Sequence, residues 1–231
     1  MLKAGASFAR AANTVMKQLR QYEFDVHVNE GTLRLAFVGM SNVGKSQRAL
    51  SLAQDCNFFH HNVDKRIAKD LGFNHVDEVG GWLGYPDTSG YGEREKQYLD
   101  LERTHTNLRT LDTDGKNLVF DTTGSVVYLP DNVIAWLKEH TLIVYLSIGE
   151  DDMEEMMKRF FKNIKPLVWG DMFVKKEGQS AEEAIRTSYP ALLQYRAGKY
   201  AELAHITIPA NAFWDTNGVQ VLDIIKQTLP E

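Results

Sequence analysis

The sequence predicts an α/β fold: a central parallel sheet of five strands with helices on both faces, a lid, and an N-terminal helical extension. Three observations carry this. Short, near-continuously apolar runs such as Thr32–Val38, Asn117–Asp121 and Thr141–Ser147 alternate with helical stretches along the chain. A glycine-bearing turn, Gly39–Ser46, joins the first run to a helix. The composition is 43% apolar and 25% charged over 231 residues, which suits a globular chain and is too apolar for a disordered one.

Residues 1–30 read as an amphipathic helical extension. Residues 1–22 carry Lys3, Arg10, Lys17 and Arg20, and the first acid is Glu23. Lys3, Arg10 and Lys17 share one helix face, while Phe8, Ala12, Val15, Leu19 and Tyr22 share another. Such a segment is either an organelle transit peptide or a helix packing Phe8, Val15 and Leu19 on the domain. The expected location is the cytoplasm, with mitochondrion or plastid following from the transit-peptide reading.

The main domain spans 31–231. After Thr32–Val38 and the glycine turn, Gln47–Asp55 is helical. Asn57–His61 is a short strand, followed by helix to about Leu71. Residues 72–92, rich in glycine with Pro86, Asp87 and Ser89, read as a surface insertion. Glu93–Leu111 is a charged helix, and Asn117–Asp121 the third strand. Asp131–His140 is helical with Asp131 as N-cap, and Thr141–Ser147 is the most strand-like run. Asp151–Phe161 is helical, and residues 158–180 form a basic, irregular lid. Ser180–Leu203 holds one or two helices, with a break expected near Tyr189-Pro190. His205–Pro209 is the last strand and Val219–Leu229 the last helix. Trp169 and Trp214 read as packing residues, Trp169 with a chance of touching ligand because it follows the lid.

Several classes are excluded. No apolar run approaches the ~20 residues of a membrane span. One cysteine, Cys56, rules out an internal disulfide framework and a multi-cysteine zinc site. The net charge of −5 argues against a general nucleic-acid binder. A monomer or weak dimer is expected.

The turn Gly39-Met40-Ser41-Asn42-Val43-Gly44-Lys45-Ser46 fits G-x-x-x-x-G-K-[ST] at each fixed position, between a strand and a helix. Its glycines let the backbone N–H groups of Ser41, Asn42, Val43 and Gly44 curl around phosphate oxygens. The helix N-terminus, extending through Gln47, adds partial positive charge. Lys45 reaches the β- and γ-phosphates and Ser46 supplies a hydroxyl to Mg²⁺. The sequence therefore predicts a three-layer αβα P-loop NTPase using ATP and Mg²⁺. Asp121, ending an apolar strand, is the second candidate metal residue, in the manner of a Walker B carboxylate. Lys158, Arg159, Lys162 and Lys165 form a basic cluster that closes over ATP; Arg159 is assigned to the nucleotide and Lys165 to catalysis.

The string SNVGKS with Asp121-Thr122-Thr123-Gly124 as D-x-x-G resembles ribosome-assembly GTPases, but the N-K-x-D that reads guanine is absent. That class is a minor alternative. Residues 33–228 resemble the shikimate kinase family more specifically. That family runs through a phosphate loop, F-x-D-x-D-x-x-I, G-E-x-x-F-R-x-x-E, a G-G-G turn, R-P-L-L and R-x-P-L-Y. Here Phe59, Asn62, Asp64 and Ile67 take the places of the second element. Glu95, Tyr98, Leu99 and Glu102 take those of the third, with Leu99 where the family carries its substrate-binding Arg. Thr123-Gly124-Ser125 replaces the glycine turn, Lys165-Pro166-Leu167-Val168 the lid motif, and Arg196-Ala197-Gly198-Lys199-Tyr200 the last segment.

The resemblance implies ATP-dependent phosphoryl transfer to a hydroxyl of a small molecule. It implies that Lys45, Asp64 and Lys165 are catalytic and that Asp64, Gly124, Ser125 and Arg196 bind the acceptor. It implies that Asp121 takes over the metal role of the family's first Asp, which is Asn62 here. Leu99 departs from the pattern: an arginine that grips a carboxylate becomes a side chain that cannot hydrogen-bond. Arg94, Arg103 and Arg109 are the nearby candidates to replace it. The acceptor is then either shikimate or another small polyol, hydroxy acid or nucleoside. The alternative function is a catalytically weak kinase homologue that binds nucleotide as a regulatory or interaction module.

Overall fold

The computed structural model describes residues 19–162 and 167–231, without the side chains of residues 150, 151, 153 and 159. Five strands form one wholly parallel sheet: β1 (Arg34–Val38), β2 (Phe59–Asn62), β3 (Leu118–Asp121), β4 (Leu142–Ser147) and β5 (Ile206–Pro209). The spatial order is β2-β3-β1-β4-β5. The three inner strands are almost continuously buried, because helices cover both sheet faces. The edges are more polar: β2 is Phe-His-His-Asn, and β5 ends in Pro209, a residue suited to an edge.

Register places the site. Phe37 pairs with Asp121, and Asn62 pairs with Asp121 from the other side. The carboxyl ends of β1, β2 and β3 therefore stand side by side, where open α/β sheets bind ligands.

Helix α1 is Gln21–Glu30, α2 is Lys45–Asp55, α3 is Val63–Asp70, α4 is Val76–Leu83 and α5 is Tyr91–Thr106. They are followed by α6 (Asp131–His140), α7 (Glu150–Lys162), α8 (Ala181–Leu203) and α9 (Gly218–Gln227). Helix α2 packs on β1, β2 and β3 and against α9, which also meets α1. The α2–α9 approach is close: a Cβ on Gly218 would stand 2.5 Å from the Ser51 carbonyl oxygen. Helices α6 and α8 pack on β4, and α3, α4 and α5 pack on one another.

Five expectations change, the smallest being that Pro130, not Asp131, is the N-cap of α6. Residues 72–92 are not merely a surface insertion, because they contain α4, which buries Val79 and Leu83. Its Gly80-Gly81 pair masks the helix in the sequence, while Glu78 accepts from the Asn74 and His75 N–H groups to cap it. Pro190 does not break α8, which runs unbroken over 23 residues. An internal proline costs about 3 kcal/mol; Ile185, Tyr189, Leu192, Leu193, Tyr200 and Leu203, all buried, offset it. Helix α5 stops at Thr106 rather than Leu111. Trp214 is 65% exposed and so is not a packing residue.

The N-terminal extension is described only from Leu19, which is buried as the packing reading expects, whereas Tyr22 is exposed. Residues 1–18 lie outside the described residues. Among the described residues no helix is long and apolar enough to cross a membrane.

Candidate active site

The phosphate loop leaves β1 at Gly39, whose φ of +144° is open to glycine and whose Cβ would stand 2.9 Å from the Leu146 carbonyl oxygen. Val43 is buried beneath the loop, while Ser41, Asn42, Ser46 and Gln47 are exposed on it. Gly44, at φ +94°, starts α2. Lys45 is only 7% exposed, and its Nζ donates to the carbonyls of Gly39 and Met40, both at 2.9 Å. Burial pushes its ammonium below the usual lysine range, and the charges of Asp121 and Asp64 oppose that shift. The lysine is thus held inside the loop, facing two carboxylates from different elements.

Asp121 is buried at the end of β3. Its Oδ2 accepts from the Asn62 side-chain amide and lies 3.4 Å from His60 Nε2. Asn62 also N-caps α3, its Oδ1 accepting from the Lys65 N–H at 2.8 Å. Asp64 follows in the first turn of α3, half-buried. Burial pushes its carboxyl up to about 6, with Lys45 opposing and Asp121 adding to the rise.

Behind Asp64 lies a polar network that the sequence did not reveal. The Tyr98 hydroxyl donates to Asp64 Oδ1 at 3.3 Å. Glu102, fully buried, accepts from the Thr123 hydroxyl at one oxygen and from the Ser125 hydroxyl at 2.6 Å at the other. Burial still pushes Glu102 up to about 7, although both hydroxyls favour its charged form. The spacing of Tyr98 and Glu102 on α5 put both on one helix face; nothing local said that Thr123 and Ser125 would meet them.

Arg196 is 2% exposed. Its Nη2 donates to the Val168 carbonyl at 2.6 Å, and its guanidinium lies 5.3 Å from the Tyr128 ring centre. Gly124 stands between this group and the phosphate loop. A Cβ there would be 3.3 Å from Ser41 Oγ and 3.4 Å from Arg196 Nη1. The Tyr200 hydroxyl fastens the Gly124 carbonyl. Over Arg196 runs the segment from Leu167 to Trp169. Tyr91 donates to the Leu167 carbonyl at 2.8 Å, and Glu95 Oε1 accepts from the Trp169 N–H at 3.0 Å. Trp169 is buried among Phe173 and Tyr189.

Leu99 lines a cleft of about 290 Å³ with Tyr128, Leu129 and Pro130. Of the three candidate arginines, Arg103 lines this cleft and the other two do not. Arg94 is bound to the Leu83 and Ser89 carbonyls, Arg103 pairs with Asp100, and Arg109 lies over Trp136. Lys165 and the Arg159 side chain lie outside the described residues. Sequence reasoning also missed Arg48. It is buried on α2 with its guanidinium against Gly44, and its Nε has no hydrogen-bond partner.

The residues fit a magnesium nucleotide. The loop presents exposed hydroxyl and amide positions at a helix start, with an ammonium beneath. The Ser46 hydroxyl and the Asp121 carboxylate would be a sparse donor set of the kind that suits Mg²⁺ retaining several waters. Among the described residues no cluster of three or more His, Cys, Asp or Glu side chains forms a closed metal cage.

No model of a known protein family matches the chain, and no curated protein of related sequence was found. Solved structures do match. Shikimate kinase from Acinetobacter baumannii in complex with shikimate is 21% identical with a TM-score of 0.57, covering 88% of this chain and 95% of that one. Shikimate kinase from Bacteroides thetaiotaomicron is 16% identical with a TM-score of 0.56, covering 84% of this chain and 97% of that one. At these identities the likeness shows the fold: a five-stranded parallel sheet flanked by helices, as in the shikimate kinases.

Proposed function

Proceeding from a kinase-like fold, we propose that the chain transfers a phosphoryl group from ATP to a hydroxyl of a small molecule. One observation carries the reading: Lys45, in a loop that fits the phosphate-loop pattern throughout, is buried with its Nζ on the Gly39 and Met40 carbonyls, at the strand ends where Asp121 pairs with Phe37 and Asn62. Bound ATP and Mg²⁺ would supply the phosphoryl group and neutralise its charge.

In this reading Lys45 leaves the Gly39 and Met40 carbonyls for phosphate oxygens. The amides of Ser41, Asn42, Val43 and Gly44 bind the same oxygens, with Gln47 extending the helix start. Ser46 and Asp121 would hold the metal, while Asn62 and His60 fix the Asp121 carboxylate. Asp64 accepts the proton of the acceptor hydroxyl at its Oδ atoms, as a base whose pKa lies below neutrality. Tyr98 orients it. Gly124, Ser125 and Arg196 line the acceptor side, and Lys165 and Arg159 close the lid over the nucleotide. Catalysis is positioning and charge neutralisation.

The test is ATP consumption with a panel of polyols, hydroxy acids and nucleosides, run on the wild type and Lys45→Ala. Acceptor-dependent consumption by the wild type alone is expected; equal turnover by the two proteins sinks the reading. Leu99 and the Val168 tie on Arg196 favour the second reading, a weak kinase homologue acting as a nucleotide-binding regulatory module. Nucleotide binding with a flat response across the panel selects it.

A further inference from the structure

The inner face of α2 holds a charge where packing calls for an apolar side chain. Its buried residues are Lys45, Arg48, Ala49 and Leu52, the i, i+3, i+4 and i+7 positions of one stripe. Lys45 is accounted for by the two loop carbonyls that its Nζ meets. Arg48 is not. It is 6% exposed, and its Nε has no hydrogen-bond partner. Arginine is almost never buried to that degree unless paired.

The side chain is aimed at the phosphate loop. A Cβ on Gly44, the N-cap of α2, would stand 3.7 Å from Arg48 Cζ and 3.8 Å from each Nη. Three near-equal distances lay the flat face of the guanidinium against Gly44 and leave its N–H edge for other partners. Gly124 approaches the loop at Ser41, so Arg48 stands at the helix end of the loop, away from the proposed acceptor wall.

The electrostatics of this position are adverse until an anion arrives. The first turn of α2 carries no acid, and a helix start is itself partly positive. Two buried cations, Lys45 and Arg48, therefore stand where helices favour negative charge. Burial pushes the Arg48 guanidinium below the usual arginine range, and the charge of Asp215 opposes that shift. Asp215 lies in an exposed turn ahead of α9, which is fastened to α2 where the Gly218 N–H donates to Asp55 Oδ2 at 2.7 Å. A buried ion with hydrogen bonds unmade costs stability. Phosphate oxygens match the fork of a guanidinium.

We infer that Arg48 is a second phosphate-binding cation beside Lys45, gripping the phosphate chain at the helix end of the loop, and that the empty protein is less stable for carrying it. This rests on the reading of Gly39–Ser46 as a nucleotide site and deepens it, because the G-x-x-x-x-G-K-[ST] pattern asks for no arginine at that position.

The test is Arg48→Met, which keeps most of the apolar stem and removes the charge. Binding to the full chain is measured by calorimetry with Mg²⁺ and, in turn, ADP, a non-hydrolysable ATP analogue and inorganic tripolyphosphate. All three are expected to bind tenfold or more weakly than to the wild type, while the melting temperature of the ligand-free protein stays unchanged or rises. Arg48→Lys, which keeps the charge without the fork, should recover part of the affinity. An arginine with a purely structural role gives the opposite pair, a lower melting temperature with unchanged affinities, and that result overturns the inference. So does a loss confined to the two nucleotides with tripolyphosphate binding intact, which would place Arg48 on the nucleoside. ATP consumption with the acceptor panel is read in parallel. Nucleotide binding that depends on Arg48, without phosphorylated product from the wild type, leaves the inference standing and overturns the phosphotransferase reading instead.

Discussion

The Gly39–Ser46 loop and the proposed acceptor wall meet at Gly124 and are built of different material. From Gly39 to Ser46 the binding groups are contiguous, and most are backbone amides whose placement depends on two glycines and a helix start. The wall is made of side chains from separate elements: Asp64 from α3, Tyr98 and Glu102 from α5, Thr123 and Ser125 after β3, Arg196 from α8. A backbone cradle reads any phosphate and tolerates change around it. A side-chain wall changes its ligand whenever one member changes.

The sharpest way to break this contrast is Lys45→Ala. Removing one preorganised donor on developing charge costs about 10²–10³-fold in rate, so ATP turnover with an accepted substrate should fall by that order. A fall of less than about threefold would mean the loop does not carry catalysis, whichever substrate the wall admits.

Glu102 tests the wall. Glu102→Ala leaves the buried Thr123 and Ser125 hydroxyls facing a void and should destabilise the fold by about 3 kcal/mol in urea denaturation. Glu102→Gln should cost much less. The pH dependence supplies the sign. The folded carboxyl titrates near 7 against 4.5 for the ordinary group, so the folded state holds its proton longer. Its contribution to stability therefore falls as pH rises through that window. The stability of wild type relative to Glu102→Gln should drop between pH 5 and pH 8; a flat difference would mean Glu102 is not held up by burial.

Asp64 links the two regions. With its carboxyl near 6, kcat/KM for an uncharged acceptor should fall about tenfold per pH unit below that value. Asp64→Asn should remove this acid limb together with most of the activity. An unchanged limb in the residual rate assigns it to another group.

The smallest effect belongs to Asn62→Ala. The loss of the α3 cap should cost about 1 kcal/mol. The freed Asp121 carboxylate should raise the Mg²⁺ concentration needed for half-maximal activity. A stability loss with unchanged Mg²⁺ dependence would confine Asn62 to capping.

Legibility in the sequence followed the same division. Gly39, Gly44, Lys45 and Ser46 were readable because a local motif determines a local structure, and the apolar runs of β1, β3 and β4 announced strands buried on both faces. Helix α4 was hidden because Gly80 and Gly81 lower its propensity, while the burial of Val79 and Leu83 that stabilises it is tertiary. The same reason explains why Pro190 failed to break α8. Glu102 was visible as a charged residue on a helix, yet its partners lie more than twenty residues away.

By itself, then, the sequence determined the alternation of strand and helix, the phosphate cradle and the presence of Asp64, Asp121 and Arg196. Those follow from periodicity and from backbone conformations that glycine permits. Only the tertiary structure decided that Arg196 is tied to Val168, that Arg94 is bound to the Leu83 and Ser89 carbonyls, and that a buried glutamate holds the Thr123 and Ser125 hydroxyls. A side chain's charge is written in the sequence, but the partner that consumes or exposes that charge is chosen by packing across the fold.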